Sequence, residues 1–282
     1  MILCWKCGEN FGKVSTKQEY IFTQTTMNTY PQKPLGIKNY GHIAHLPKSR
    51  MGEGDHKCHE GQSRIATVQV RDKYDEVIVQ EKLDGSNVGI ARLGDQLFPL
   101  TRAGYLAESS KYEQHWRFAD WVYENAERFL AVVQDGERLC GEWLMQAHGT
   151  RYALPHEPFV AFDLMRGTER AVYDEMLRRI QAGEFVTPTL LHRGGAISIE
   201  AVLQKLGASG FHGALDTVEG AVWRVEREEL VKRSPKQNPS GERERVVDFI
   251  VKYVRPDKQD GIYLPEMSGK EAVWNWRPEQ KM

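Results

Sequence analysis

Apolar runs, several of them alternating with polar residues, predict that strands form most of this chain from about residue 64 onward. The segments that predict strands are IATVQV, EVIVQEKL, NVGIARL, RLCGEWLM, FVAFDLM, FVTPTLL, GAVWRV and DFIVKYV. Residues 1 to about 60 are rich in Gly, Pro, His and Lys and show no sustained periodicity, so we expect an irregular extension there.

Three segments show the three-to-four spacing that predicts an amphipathic helix. The longest covers 110–133, with Ser109 or Ser110 as its cap, and its apolar positions are Tyr112, Trp116, Ala119, Val122, Phe129 and Val133. A second helix near 170–182 ends at Gly183, and SIEAVLQKL follows Ser198 as a third. Helices interrupt the strands irregularly rather than alternating with them. The pattern therefore favours an α+β fold of largely antiparallel sheets over a doubly wound parallel sheet.

The composition is that of an ordinary globular protein, with 282 residues of which 40% are hydrophobic and 27% charged. No apolar run approaches the ~18 residues that a membrane span needs. The N-terminus lacks the apolar core and cleavage site of a signal peptide, so we expect a cytoplasmic protein without membrane contact. Met27 is an alternative start that would make the first 26 residues an appendage.

The net charge of −1 argues against a protein that coats nucleic acid by mass action, but it allows a local basic groove. One basic segment carries Arg224, Arg227, Lys232, Arg233, Lys236, Arg243 and Arg245. Acidic residues are interleaved with them, so the segment is either a phosphate-contacting surface or a solvated loop.

The four cysteines offer one candidate metal site. Cys4 and Cys7 form a CxxC that resembles half of a zinc knuckle, and the nearest partners for it are His56, Cys58 and His59. Two ligands from each stretch would make a tetrahedral zinc site. The spacing fits no standard pattern, and the alternative is a pair of unrelated loops.

Lys82 ends an apolar run, and Asp84 and Gly85 follow it. A lysine is a poor nucleophile while protonated and becomes competent when its surroundings lower its pKa. An aspartate can shape the backbone of a turn, and a glycine permits a tight turn or the close approach of a ligand. On its own this tetrapeptide fits a plain hairpin better than a nucleophile.

Six short motifs change that interpretation. They are KLDG at 82–85, TRAG at 101–104, GEWL at 141–144, FVAFDLM at 159–165, EGAVWR at 219–224 and VKYVR at 251–255. In this order the chain resembles the covalent nucleotidyltransferases, which are the polynucleotide ligases and messenger-RNA capping enzymes. Among these it is most similar to the ATP-dependent RNA ligases. The resemblance spans about residues 36–276, and six motifs in order are specific although each alone is weak.

The resemblance implies a nucleotidyltransferase (adenylation) domain over 61–256, preceded by the extension 1–60 and followed by a tail, 257–282, packed on the body. No C-terminal OB barrel is expected. The implied reaction has three steps. Lys82 attacks the α-phosphate of ATP and carries AMP, the AMP passes to a 5′-phosphate of a nucleic-acid strand, and a 3′-hydroxyl then displaces it.

The resemblance also implies roles for individual residues. Lys82 would be the nucleophile, with Asp84 and Lys252 as further catalytic residues. The residues expected to bind ATP are Glu81 (through its backbone), Gly85, Asn87, Arg102, Glu142, Phe162 and Lys252. Ser86 and Asn87 would position the strand termini. Glu219 and Asp163 would bind Mg²⁺ or Mn²⁺, which prefer carboxylate oxygen.

These roles follow the chemistry of the side chains. Phe162 offers a face for adenine, and Glu142 can accept hydrogen bonds from ribose hydroxyls. Lys252 would neutralise phosphate charge, and Arg102 would hold ribose or the incoming 5′-phosphate. Each also has a plain alternative: a core aromatic at Phe162, solvent-facing strand residues at Glu142 and Lys252, and a charged turn residue at Glu219.

Two departures from the family pattern keep other functions open. The last motif commonly reads Lys-x-Lys, but here only Lys252 is present, and Arg255 or Lys232 would have to supply the missing charge. The second departure is that no C-terminal OB barrel is expected. The leading hypothesis is an RNA ligase acting on 5′-phosphate and 3′-hydroxyl RNA ends. The alternatives are a DNA ligase, a GTP-using capping guanylyltransferase, and a non-catalytic RNA-end or nucleotide binder, against which intact Lys82, Glu142 and Glu219 argue.

Overall fold

The computed structural model describes residues 33–231 and 241–276. Within these ranges the chain is α+β, with two largely antiparallel sheets and six α-helices, as the sequence predicted. The strands are β1 (Ala44–His45), β2 (Asp75–Lys82), β3 (Ser86–Leu93), β4 (Gln96–Thr101), β5 (Glu137–Trp143), β6 (Phe159–Arg166), β7 (Glu169–Arg170), β8 (Leu190–Gly194), β9 (Gly220–Leu230) and β10 (Arg243–Val254). The helices are α1 (Glu60–Thr67), α2 (Glu113–Glu124), α3 (Ala126–Val132), α4 (Tyr173–Ala182), α5 (Ile199–Leu206) and α6 (Pro265–Ser268).

The first sheet has the strand order β1-β10-β9-β2-β8, and β1 is the strand that runs parallel to its neighbour. One face packs against α1 and α5 through buried residues that include Val77, Val79, Trp223 and Val251. Because side chains alternate along a strand, Gln80, Lys82 and Lys252 lie on the opposite face.

The second sheet has the order β4-β3-β5-β6-β7, with every pair antiparallel. Its helical face forms the larger core with α2, α3 and α4, and the largest buried side chains there include Phe118, Trp121, Phe129, Trp143 and Phe159. A bulge interrupts β6, since Cys140 pairs with Asp163 and Gly141 pairs with Ala161. Phe162 is thus the extra residue of the bulge, a position that re-aims a side chain.

Three of the predicted elements differ in the structure. IATVQV was predicted to be a strand, but its first three residues are the last three of α1. This helix begins with a capping box, in which His59 accepts from the amide of Gly61 and donates its own amide to Gln62. The single helix predicted over 110–133 divides at Asn125, and neither Ser109 nor Ser110 caps it. The strand predicted at FVTPTLL begins later, at β8.

The other two predicted helices are confirmed. Helix α4 ends at Ala182 with Gly183 as its C-cap, and the Ser198 hydroxyl accepts from the amide of Ala201 at the start of α5. Within the described ranges no helix has the length and apolar character needed to cross a membrane.

Segments on either side of the two sheets pack against them. Residues 44–50 lie along β10, where the amide of Leu46 donates to the carbonyl of Lys252 at 2.8 Å. At the other end of the chain, Trp274 and Trp276 pack against the larger core. The amide of Ala147 donates to the carbonyl of Val273 and fixes this contact.

Candidate active site

A cavity of about 840 Å³ lies between the two sheets. Strands β2, β9 and β10 line one side and β3, β5 and β6 the other. Its volume falls in the range of roughly 300–1,000 Å³ that is typical of small-molecule sites. The predicted site residues that line it are Glu81, Lys82, Asp84, Gly85, Asn87, Arg102, Glu142, Phe162, Glu219 and Lys252.

Lys82 is held by a short ion pair inside the cavity. Its Nζ lies 2.6 Å from Oε2 of Glu219 and 3.3 Å from the carbonyl of Leu83. The pair forms because Lys82, at the end of β2, is opposite Gly220 on β9, and Glu219 precedes that glycine. Burial alone would lower the pKa of Lys82, but the carboxylates of Glu219, Glu142 and Asp84 outweigh it and raise the pKa. The raised pKa favours the ammonium form of Lys82.

Two glutamates, Glu142 and Glu219, lie beside Lys82 and act on its charge. Burial raises the pKa of Glu142 and of Glu219 to about 7, and Lys82 opposes the shift. Oε1 of Glu142 accepts from the amide of Gly85 at 3.0 Å. Once ionised, paired carboxylates are hard oxygen donors that fit a divalent cation such as Mg²⁺ or Mn²⁺. Among the described residues no three His, Cys, Asp or Glu side chains form a complete metal site, so phosphate and water would complete the coordination.

Hydrogen bonds to residues 149–152 hold the turn that follows Lys82. Oδ2 of Asp84 accepts from the amide of Gly149 at 3.1 Å and from the hydroxyl of Thr150 at 2.9 Å, while the Asp84 amide donates to the Tyr152 hydroxyl. A Cβ on Gly85 would come within 2.5 Å of the carbonyl of Trp143. Close packing therefore accounts for glycine here, and Asp84 shapes the turn that presents the lysine.

Lys258 supports this arrangement from the interior and was missed in the sequence. Its side chain donates to the carbonyls of Gly149 (2.9 Å) and Thr217 (2.8 Å) and to the hydroxyl of Thr150 (2.7 Å), and the residue is only 7% exposed. The same Thr150 hydroxyl binds Asp84, and Thr217 leads into Glu219. The buried ammonium of Lys258 thus contacts both the residue that binds Asp84 and the segment that leads to Glu219.

The side of the cavity formed by the second sheet carries groups suited to binding a nucleobase. Phe162 is half-buried and lines the cavity, and its ring meets Tyr40 edge-on at 5.2 Å between centroids. Oδ1 of Asn87 is buried and has no hydrogen-bond partner among the described residues, as expected of an atom that awaits a ligand. Glu81 turns its side chain towards Phe211, whose amide donates to it at 3.1 Å. The role predicted for Glu81 uses its backbone and is compatible with this orientation.

Asp163 is the predicted site residue that the structure separates from the others. It is fully buried, and its oxygens accept from the Tyr40 hydroxyl (3.0 Å), Arg170 (2.8 Å) and Arg224 (2.8 Å). Because Arg224 lies on β9 and Asp163 on β6, this pair joins the two sheets. We do not retain Asp163 as a metal ligand, since its carboxylate is occupied and does not line the cavity.

The zinc prediction rests on Cys4 and Cys7, which lie outside the described residues. Of its other candidates, His59 caps α1, and Cys58 is half-buried with a pKa that burial raises. The zinc site stays a prediction.

Part of the basic segment, 232–240, also lies outside the described residues. Arg227 pairs with Asp72 and Asp75, and Arg245 pairs with Glu76. These pairs favour a solvated, self-neutralised surface over a phosphate-contacting one.

Lys252 faces the cavity beside a carboxylate that the sequence analysis did not assign. Its Nζ lies 3.7 Å from Oδ1 of Asp55, whose Oδ2 lies 3.0 Å from Nε2 of His45. Burial, and then the charge of Lys82, lower the pKa of Lys252. Arg255, which was a candidate for the missing charge, binds the carbonyl of Gly207 and does not line the cavity, and Lys232 lies outside the described residues. The sequence signal for this region was the histidine- and glycine-rich run YGHIAHLPKSRMGEGDH.

Comparison with known proteins identifies the domain around the cavity. The family model described as RNA ligase matches residues 75–254. The chain belongs to the RNA ligase family. The matched region contains every predicted site residue that lines the cavity. Asp55 and Lys258 lie outside it.

Solved structures resemble this RNA ligase family member over part of their length. An archaeal ATP-dependent RNA ligase is 20% identical, with a TM-score of 0.39, over 64% of this chain and 42% of that chain. Naegleria gruberi RNA ligase with PPi is 16% identical, with a TM-score of 0.43, over 70% of this chain and 53% of that chain. The chain thus spans about half the length of these structures. No curated protein matches it.

Proposed function

We propose that this protein is an ATP-dependent RNA ligase that joins 5′-phosphate and 3′-hydroxyl RNA ends through a covalent lysyl-AMP intermediate. The observation that carries the proposal is the placement of Lys82. It ends a strand at a cavity of nucleotide size, 2.6 Å from Glu219, and it lies inside the region that matches the RNA ligase family. A structural lysine in a hairpin would not need a cavity or two further carboxylates, Glu142 and Asp84, that act on its charge.

In the proposed first step Nζ of Lys82 bonds to the α-phosphorus of ATP, and the bond to the bridging oxygen breaks to release pyrophosphate. Phe162 would stack on adenine, Asn87 would use its unpaired oxygen, and Lys252 would lie against the phosphates. We now assign Glu142 to a divalent cation together with Glu219, in place of the ribose role expected from the sequence. The cation would neutralise phosphate charge and favour loss of the Lys82 proton. Until then the same carboxylates keep Lys82 protonated and unreactive.

In the second and third steps the AMP passes from Lys82 to the 5′-phosphate of RNA, and a 3′-hydroxyl attacks that phosphate to form the phosphodiester and free AMP. Arg102 is exposed at the mouth of the cavity, and its guanidinium fits phosphate oxygens in a bidentate manner. We assign to it the incoming 5′-phosphate.

The proposal is tested by sealing assays with strands that differ in one end. Wild type with ATP and Mg²⁺ or Mn²⁺ should join a 5′-phosphate to an RNA 3′-hydroxyl, and Lys82→Ala should not. Preference for DNA 3′ ends would indicate a DNA ligase, and self-labelling by GTP but not ATP would indicate a capping enzyme. Nucleotide binding without labelling or joining would leave the non-catalytic binder.

A further inference from the structure

Four residues lie side by side at one end of the first sheet. Lys82 pairs with Gly220, Gly220 pairs with Val254, and the amide of Arg50 donates to the carbonyl of Val254 at 3.0 Å. Neighbouring strands lie about 4.8 Å apart, so the backbones of Lys82 and Arg50 are separated by about 14 Å. A Cβ on Gly220 would come within 1.9 Å of the carbonyl of Tyr253, so glycine keeps this row closely packed.

The side chains at both ends of this row line the same cavity. Both are long cationic side chains at the rim of one cavity, with backbones about 14 Å apart, and such groups bind phosphate oxygens. Lys252 lies on the same strand and face as Val254, two residues away, and it also lines the cavity. The phosphate end of the cavity is therefore bordered by Lys82, Lys252 and Arg50.

Arg50 is the one of these cations whose present partner is easily exchanged. It pairs with Asp260 at 2.5 Å, and the aspartate side chain is 63% exposed. Exposed pairs contribute little stability, because water and salt screen them. By contrast the cavity-lining Arg224 is bound to Asp163, which is 0% exposed, and cannot leave it without burying an unpaired charge.

We propose that Arg50 binds the β- and γ-phosphates of ATP, and the pyrophosphate formed from them, by exchanging Asp260 for phosphate oxygens. This inference rests on the proposed function. A guanidinium suits the site because it offers two parallel donors to a phosphate. Arg50 lies outside the region that matches the family, in the segment that also supplies Asp55 to Lys252.

The test separates the step that uses the triphosphate from the step that does not. Arg50→Gln should raise the KM for ATP in self-adenylation, and weaken pyrophosphate-driven removal of AMP from the labelled enzyme, by about tenfold to a hundredfold. Sealing of RNA that already carries a 5′-adenylate should be unchanged, since that step involves neither ATP nor pyrophosphate. Arg178→Gln, which removes an exposed arginine on α4, is the matched control.

Two further variants sharpen the result. Asp260→Asn should lower the KM for ATP severalfold, because it frees Arg50. Arg50→Lys, which keeps the charge but loses the two parallel donors, should retain part of the ATP affinity that Arg50→Gln loses.

Wild-type ATP and pyrophosphate dependence in Arg50→Gln would overturn the inference. A defect confined to sealing of pre-adenylated RNA would also overturn it and place Arg50 on the RNA. Absence of AMP labelling in the wild type would instead overturn the proposed function itself.

Discussion

Nζ of Lys82 and Oε2 of Glu219 lie 2.6 Å apart, where Lys82 ends β2 and Glu219 directly precedes β9. The proposed nucleophile is thus paired with a proposed metal ligand. The pKa of Lys82 is raised because nearby carboxylates outweigh its burial. Under the proposed function we expect Lys82 to be a poor nucleophile in this ion pair, and cations that occupy the glutamates would favour the reactive, neutral amine.

This pairing predicts how self-adenylation depends on pH. Burial raises the pKa of Glu142 and of Glu219 to about 7, so both lose their charge as pH falls below that value. A neutral carboxyl holds a divalent cation poorly, and Lys82 remains protonated. We expect the rate of AMP incorporation to rise with pH below pH 7, by about tenfold per unit for each carboxylate that must be ionised.

The initial rate of labelling between pH 5.5 and 8.5 at saturating ATP checks this expectation. Thermal unfolding at each pH is the control for loss of native protein. A rate that stays constant from pH 5.5 to 7.5 would contradict the account.

We expect Glu81 to make the free energy of unfolding depend on pH. The dependence is opposite in sign to that of a carboxylate whose pKa an ion pair lowers. Burial raises its pKa to about 7, and its Oε1 has no partner among the described residues. A raised carboxyl pKa favours the native state at low pH, and this contribution is lost as pH rises through about 7. Glu81→Gln keeps the acceptor for the Phe211 amide and removes the charge. Its gain in stability over the wild type should grow between pH 5 and 8 to at most about 3 kcal/mol.

Urea unfolding at several pH values measures this difference. Asp95→Asn is the matched control, because that side chain is wholly exposed. An equal difference between Glu81→Gln and the wild type at pH 5 and pH 8 would show that Glu81 is not buried as a neutral acid.

We expect replacement of Lys258 to lower both the free energy of unfolding and the rate of adenylation. Lys258→Met keeps the length of the side chain but leaves the carbonyls of Gly149 and Thr217 without their donor. Unsatisfied buried acceptors cost about 1–3 kcal/mol each, so the unfolding free energy should fall by about that amount or more. Adenylation should fall as well, because Asp84 loses the support of Thr150.

The unfolding free energy and the rate of self-adenylation are measured on the same sample below the unfolding transition. Lys270→Met, at an exposed position, should change neither. Lys258→Met with reduced stability but full adenylation would restrict Lys258 to a purely structural role.

Much of the scaffold could be predicted from local patterns. The strands β2, β3, β5 and β6 carry the apolar runs by which they were predicted, and Ser198 gives a clear helix start. IATVQV was predicted wrongly because β-branched residues outweighed the capping box between His59 and Gln62 immediately before it. Local propensity decided the sequence prediction, whereas the cap and the packing of Ala66 decide the structure.

The residues of the candidate site also divide into those that the sequence predicted and those that it did not. Residues within the six motifs could be located because the motifs, in this order, resemble those of the covalent nucleotidyltransferases. Arg50, Asp55 and Lys258 could not, since their partners Asp260, Lys252 and Thr217 are far away in the sequence and no local pattern records such contacts. Asp163 was grouped with Phe162 as its neighbour in one motif. The bulge in β6 places the two differently, with Phe162 at the cavity and Asp163 between the sheets.

The most direct test of the account is to locate the AMP. Wild-type protein, freed of bound nucleotide, is incubated with ATP and a divalent cation, and its intact mass and labelled peptide are determined. The account predicts one AMP on each active molecule, attached at Lys82, and no adduct in Lys82→Arg, which keeps the positive charge but not the nucleophile. A folded wild-type protein that gains no AMP, or an adduct on another residue, would contradict it.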